Sequence, residues 1–467
     1  MDGTGKGASN LTGKVSFVSL LFQSITHMGP GFSVLLAIPA AAAFAGGSLD
    51  LSVVIAGIAM LFMAGTVREL AKKLPSAGGF YTYGTNALGP RVGFIIGWCV
   101  ILAENITPAL GLWGSAFSIQ GILALFNVHT PFWPWVILVS IAVYIMMYRG
   151  VEISMRSGVF LGVIEMLIFV VLAVLFIAEG HVGGSMASLT PRFAVHGWSG
   201  VFVGMIWVIF AFIGFEAVVP MAEEAKQPKV GPQRVLIFAP IIVGLFYLFT
   251  SYGATVAMGV VHMGGYNADS WVNLTGKTSK ILEALMLFAV LNSSVAVVNS
   301  SALAVTRVMY AMGRDRNFPA AFSQVHPNFG TPSYAIVFQG VFSVLFTLLI
   351  GWWQGGPLNA IGWDGEIITL LVIIAYYIFG GGVSTIVLYS KRFHAERKVV
   401  QHIVVPAIAI LLMLLPLYAS VVPFPPYPLN LAPIIVVMWI LAGTIMAIKK
   451  QFPVTAVEIM EAEGINK

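Results

Sequence analysis

Long apolar runs separated by short polar joints dominate the chain from Val15 to Ile448. Each run reaches about 18 residues or more, enough for a helix to cross a hydrocarbon core roughly 30 Å thick. Twelve runs are predicted as membrane-spanning helices, at 15-45, 49-72, 77-108, 131-148, 156-179, 199-222, 233-260, 279-312, 334-353, 365-391, 402-421 and 431-449. The longest polar joints, near 180-198 and 262-280, are too short to hold a separate domain. The chain therefore reads as a polar tail over 1-14, a single transmembrane domain over 15-450 and a second tail over 451-467. The first apolar run is too long for the core of a cleavable signal peptide, so it is expected to remain in the protein.

Two runs are interrupted in corresponding places, five spans apart. The first is broken by Met28-Gly29-Pro30-Gly31, the sixth by Ala211-Phe212-Ile213-Gly214-Phe215-Glu216. Unwinding frees backbone N–H and C=O groups that hydrocarbon cannot satisfy, so such breaks persist where they line a cavity or hold something polar. Either break alone is readily read as a packing kink. Matched breaks in equivalent spans point instead to an inverted-repeat transporter with its site near the bilayer midplane, spans 1–5 and 6–10 forming the repeats.

Composition narrows the class further. The chain is 58% hydrophobic and 9% charged, against roughly a quarter charged in soluble domains, which excludes a large soluble enzyme. With the N-terminus in the cytoplasm, Arg68, Lys72, Lys73, Arg149, Arg156, Lys226, Lys229, Arg234, Arg314, Arg316, Lys391, Arg392, Arg397, Lys398, Lys449 and Lys450 fall inside. Arg192, Lys277 and Lys280 fall outside. That asymmetry is the positive-inside pattern of a multi-pass cell-membrane protein with both termini cytoplasmic. The net charge of +5 is thus a topology signal, and no basic patch on a soluble domain offers a nucleic-acid surface. Cys99 is alone, so no internal disulfide is available. No phosphate-cradling loop, metal-ligand cluster or nucleophile elbow is present, so neither ATP-driven pumping nor enzymatic catalysis is expected.

Three stretches carry a family likeness. Glu69-Leu70-Ala71-Lys72-Lys73-Leu74-Pro75-Ser76-Ala77-Gly78-Gly79-Phe80-Tyr81-Thr82-Tyr83 is followed by Leu88-Gly89-Pro90 and Gly97-Trp98. Gly214-Phe215-Glu216 is followed by Glu223-Glu224, Pro228 and Pro232. Arg307-Val308-Met309-Tyr310-Ala311-Met312-Gly313-Arg314-Asp315 is followed by Pro319, His326-Pro327 and Thr331-Pro332. In order and spacing they resemble the amino acid-polyamine-organocation superfamily of secondary transporters. The resemblance implies an all-α LeuT-like fold of ten core helices in two inverted repeats plus two peripheral helices, working by alternating access on an amino acid or organic amine. No cofactor is expected beyond a coupling ion, H+ or Na+, and no obligate protein partner is evident; lipid surrounds the chain.

An amino acid carries two charges, and each costs several kcal/mol in a low-dielectric site unless paired. The half-helix after Gly29-Pro30-Gly31 offers N–H groups and a positive dipole end for a carboxylate. Carbonyls around Phe210, Ala211 and Ile213 could accept from an ammonium. The resemblance also places Phe210 as an aromatic lid over the substrate, Thr26 and Gly29 on its helix 1 side, Asn105 beside it and Ser301 on its helix 8 side. Pro30 departs from the family's usual Ser or Thr and removes one backbone donor and one hydroxyl, which keeps an amine without a carboxylate, such as a polyamine or ethanolamine, as an open alternative.

Ionisable groups within membrane spans are functional candidates by default. Glu216 could organise the helix 6 break, or simply cap its exposed N–H groups. Glu165 sits mid-span where some proton-coupled relatives carry a lysine; it could exchange a proton, or join Ser300 and Ser301 in a sodium site, since hard cations prefer oxygen. A purely structural hydrogen bond is its third reading. Glu104, next to Asn105, could pair with a substrate ammonium or bond between helices. His27 beside the first break could titrate near neutral pH, although a satisfied core histidine is the simpler reading. Glu69 reads equally as an inner ion pair or a solvated charge. A ligand sensor without transport is the rival function, but the 17 residues after Lys450 leave little room for a signalling tail.

Overall fold

A computed structural model of the chain describes residues 15–180 and 186–452, excepting the side chains of 151–157 and 268. The first tail, the second tail beyond residue 452 and the side chain of Arg156 lie outside the described residues. The apolar runs fold as helices: α1 (Phe17–Met28), α2 (Pro30–Phe32), α3 (Ile38–Ala45), α4 (Leu49–Lys73), α5 (Phe80–Leu88), α6 (Pro90–Ala124), α7 (Trp133–Arg149), α8 (Val151–Glu179), α9 (Trp198–Phe212), α10 (Gly231–Met258), α11 (Ala268–Thr278), α12 (Lys280–Arg314), α13 (Ser333–Trp353), α14 (Pro357–Leu371), α15 (Ser384–Lys391), α16 (Val405–Ala419) and α17 (Leu431–Lys449). Among the described residues the sole extended pairing is a parallel bridge between Val15 and Ala225. Among the described residues, ten helical stretches are long and apolar enough to cross a membrane, one of them the 57-residue run Phe17–Lys73, and α7 is a shorter apolar helix beside them. The protein is thus an all-helical, multi-pass membrane protein.

Two predicted spans shift. The span 77-108 divides at Gly89, whose φ of 90° ends α5, and Pro90, which starts α6 because a first-turn position needs no N–H donor. From there α6 continues through Pro108 to Ala124. The span 365-391 begins earlier, at Pro357, because Trp363 and Asp364 interrupt the apolar run in sequence yet are buried in the fold. Its middle, Val372–Val383, is a π-helical stretch.

Both predicted breaks are present. Helix α1 stops at Met28, and Gly29 takes a left-handed φ of 55° that a Cβ would penalise. Pro30 then opens the single turn α2, followed by a π stretch, Ser33–Ala37, and α3. Helix α9 stops at Phe212, and Gly214, at φ 113°, leads into a 3-10 stretch, Phe215–Glu224. A Cβ on Gly214 would lie 2.4 Å from His27 Cδ2, so the second break is seated directly on the first.

Helix α12 packs along α6, α10 against α4, and α14 against α6, which places the two breaks in the middle of the bundle. Exposed apolar side chains, among them Leu138, Val341, Leu411 and Val437, lie on α7, α13, α16 and α17, the faces hydrocarbon would solvate. At one end of the bundle the helix termini are tied by ion pairs. Arg307 Nε donates to Glu224 Oε1 at 2.7 Å, both side chains being buried, and Arg314 donates to both oxygens of Glu223 at 3.1 Å. Lys73 reaches Glu396 at 2.6 Å at the same end.

Candidate functional site

Two cavities flank the paired breaks. The larger, about 360 Å³, is lined by Phe32, Leu36, Trp207, Phe210, Tyr266 and Gly365 among others. That lies within the roughly 300–1,000 Å³ range of small-molecule sites. The smaller, toward the ion-paired end, is about 10 Å³ and is lined by Glu104, Glu216, Pro220, Val308 and Tyr376 among others. It has space for about one water. Phe210 lies at the edge of the larger cavity, where a Cβ on Gly365 would come 3.0 Å from its ring.

Between the cavities, four helices contribute buried polar side chains. Glu104 Oε1 accepts from Tyr376 Oη at 2.8 Å, and its Oε2 lies 3.6 Å from His27 Nε2. Neither ring nitrogen of His27 has a hydrogen-bond partner among the described residues. Glu216 Oε2 accepts the Gly214 N–H at 3.1 Å, and Tyr377 Oη lies 3.2 Å from both of its carboxylate oxygens. Glu216 thus holds a donor released by its own helix break.

The carbonyls offered to an ammonium already accept one protein donor each at two of the three positions. Phe210 O accepts from Ile213 N at 3.1 Å, and Ala211 O accepts from Tyr247 Oη at 2.8 Å. The same hydroxyl lies 3.1 Å from Met28 O, so Tyr247 bridges the two breaks. A dry interior leaves few carbonyls unpaired.

Glu165 is 1% exposed. Its Oε2 accepts from Asn292 Nδ2 at 2.5 Å, and its Oε1 is 3.5 Å from Gly31 N, which puts the α8 carboxylate against the first break and α12. The hydroxyls of Ser300 and Ser301 donate back to their own helix, to Ala296 O at 2.8 Å and Val297 O at 2.6 Å. Ser300 O accepts from Gln23 Nε2 at 2.9 Å. The Ser300 carbonyl thus meets α1, but Glu165 bonds Asn292, two turns away from both serines. Thr26 donates to Phe22 O at 2.6 Å and lines a small cleft with Gln23, Asn292 and Asn299.

Gly29 and Gly31 do not open toward free space. A Cβ on Gly29 would lie 2.6 Å from Val297 Cγ2, and one on Gly31 would lie 2.9 Å from Phe169 Cε2. Their role is close approach of the broken backbone to α12 and α8. Asn105 bonds Ile101 O at 2.6 Å through Nδ2, and its buried Oδ1 has no partner among the described residues. Glu69 is a buried junction and not a solvated charge: it accepts from Lys72 at 2.5 Å and Gln401 at 2.6 Å and lies 3.4 Å from His402 Nε2. Beyond the spans, burial raises the Asp315 carboxyl above the usual carboxylate range, opposed by the hydroxyl of Tyr81, which donates to it at 2.9 Å.

Asn292, Tyr247, Tyr376 and Tyr377 escaped the sequence reading. The adjacent tyrosines inside an apolar span were the one visible hint, since two buried hydroxyls there require partners. Tyr247 and Asn292 gave no such signal.

A family model described as amino acid permease matches residues 15–447. The branched-chain amino acid permease BcaP of Bacillus subtilis is 28% identical over 388 residues, 79% of this chain and 80% of that protein. The low-affinity putrescine importer PlaP of Escherichia coli K12 is 25% identical over 305 residues, 62% of this chain and 64% of its own. The glutamate/serine transporter AimA of Bacillus subtilis is 25% identical over 363 residues, 72% and 64% respectively. A match that takes in both broken helices and every buried carboxylate described above assigns the chain to the amino acid permease family, within the amino acid-polyamine-organocation superfamily.

Proposed function

We propose that the protein is a secondary transporter that carries an amino acid or a related organic amine across the cell membrane by alternating access. The observation that carries this reading is the seating of the Gly214 break on the first break, with His27 Cδ2 2.4 Å from a Cβ at Gly214. Two unwound segments meet at mid-bundle, between a cavity of about 360 Å³ and one of about 10 Å³. A site open on one side and pinched on the other is what alternating access requires of one end state.

In this reading Phe17–Lys73 makes two crossings and α7 one, which gives twelve in all, with the first five and next five as inverted repeats. Residues 15-450 form one transmembrane domain. The ion-paired end is cytoplasmic, as are both tails, and the larger cavity is extracellular. The N–H groups after Gly29 take a carboxylate where the substrate has one, and Glu104 faces the ammonium. Proton or sodium coupling runs through Glu165, with Ser300 and Ser301 on the sodium-binding side. Relatives named for branched-chain amino acids and for putrescine leave the neutral amino acid and the amine both in play, and the engaged carbonyls of Phe210 and Ala211 give Glu104 the larger share in ammonium recognition.

Reconstitution in liposomes tests the proposal. Saturable uptake of leucine or putrescine, with counterflow against unlabelled substrate, is expected. Binding detected by thermal shift with no counterflow for any amino acid or amine would mark a sensor instead.

A further inference from the structure

Helix α4 carries a carboxylate at its first turn, about 35 Å along the helix from Lys73 and the ion-paired end. Asp50 is fully buried, and neither of its oxygens has a hydrogen-bond partner among the described residues. No Lys, Arg or His pairs with it there either. Around it, within interaction range but outside hydrogen-bond geometry, stand the hydroxyls of Ser188, Ser251 and Thr255.

Ser251 Oγ directs its proton to Leu248 O at 3.2 Å, and Thr255 Oγ1 directs its own to Ser251 O at 2.9 Å. Lone pairs are what those hydroxyls leave for the carboxylate. Ser188 Oγ is likewise buried and without a partner. Ser188 can turn its proton to the carboxylate, but the lone pairs of Ser251 and Thr255 repel it unless a cation or a proton lies among them. Burial of an ionised carboxylate without compensation costs several kcal/mol, and a positive charge beside it offsets that cost.

We propose that Asp50, Ser188, Ser251 and Thr255 form a binding site for a small monovalent cation, separate from the mid-bundle site. Hard cations take carboxylate and hydroxyl oxygen. One carboxylate among neutral hydroxyls balances a single positive charge, whereas a divalent ion would leave one charge uncompensated in low dielectric. Tyr266, whose hydroxyl lies 3.4 Å from Val34 O, is an ionisable side chain within reach of the Asp50 charge. A cation here ties the start of α4 to the end of α10 and to the 3-10 turn Met186–Leu189, at the end opposite the ion pairs. The assignment is independent of what the transporter carries.

The test uses the purified full chain, with sodium chloride replaced stepwise by choline chloride at constant ionic strength. A saturable rise in Tm with sodium is expected for the natural protein. In Asp50→Asn the sodium-dependent rise should shrink to whatever a mid-bundle site supplies, and the same loss should appear in Asp50→Asn made in a Glu165→Gln background. Thr255→Val keeps the side-chain shape and removes one oxygen; it should raise the half-saturating sodium concentration about tenfold, and it serves if Asp50→Asn does not fold. Equal Tm values in sodium and choline for the natural protein would overturn the proposal, as would an unchanged sodium midpoint in both variants. Infrared difference spectra, natural protein minus Asp50→Asn in saturating sodium, should show an ionised carboxylate. A protonated carboxyl band there would equally sink the site.

Discussion

Asn292 donates its side-chain N–H to Glu165 at 2.5 Å, holding an α8 carboxylate on α12 with the first helix break 3.5 Å away at Gly31 N. A change of charge on Glu165 would act at once on both helices and on the broken backbone. That junction suits a coupling residue.

Glu165→Gln keeps the shape and one acceptor oxygen, enough for Asn292, while removing the titratable charge. Substrate exchange between liposome lumen and medium is expected to persist, whereas accumulation driven by a pH or sodium gradient should fall to the gradient-free level. Undiminished concentrative uptake under both gradients would clear Glu165 of this role and direct attention to Glu216 or His27.

Bulk at Gly31 meets the Phe169 ring at 2.9 Å and Ser293 Cβ at 3.3 Å. Gly31→Leu should therefore abolish substrate binding by displacing the broken segment from α8 and α12, with a lowered Tm as a companion effect. Gly31→Ala is the milder probe, and Phe169→Leu added to it should restore part of the lost stability. Contacting residues couple by about 0.5–3 kcal/mol. Strict additivity of the two changes in thermal unfolding would show that they do not meet.

Neutral and cationic substrates should outcompete acidic ones at neutral pH, since Glu104 and Glu165 flank the breaks and would repel a second carboxylate. Competition against labelled substrate in liposomes measures this directly. Potent inhibition by glutamate or aspartate, the substrate type named for one relative, would contradict it. Glu104→Gln should weaken amine uptake more than uptake of a neutral amino acid.

Arg307 and Glu224 are both buried and bonded at 2.7 Å. Removing one partner of a buried pair costs roughly 3–5 kcal/mol, because the other charge is stranded. Arg307→Met should thus fail to accumulate as folded protein, and the double variant with Glu224→Met should recover much of the loss. Detergent-solubilised monodispersity after gel filtration reports both. A well-folded single variant would mean that water reaches Glu224.

Much of this protein was legible along the chain because hydrocarbon imposes simple demands. A run long enough to cross, such as that ending in α17, must be apolar and helical whatever its neighbours do. Gly29-Pro30 cannot continue a regular helix, and Gly214 adopts a conformation other residues resist, so both breaks could be placed from sequence alone. Glu104, Glu165 and Glu216 stood out for the same reason, each rare against its apolar surroundings, whereas Asp50 and Asp364, equally buried, lie near the ends of their apolar runs and did not.

What each carboxylate touches was decided by tertiary packing. Tyr376 and Tyr377 are adjacent in sequence, yet a π-helical stretch sends one hydroxyl to Glu104 and the other to Glu216. Tyr247 spans Met28 and Ala211, and so engages a carbonyl that sequence reasoning offered to the substrate. Asn292 and Glu165 meet from positions 127 residues apart. Hydrogen bonds of this kind depend on side-chain direction and on which helix faces pack together, and neither is encoded in a local pattern of apolar and polar positions. Composition and local backbone chemistry set where the helices run and where two of them break; the pairing of buried polar groups between those helices exists only once the bundle has closed around them.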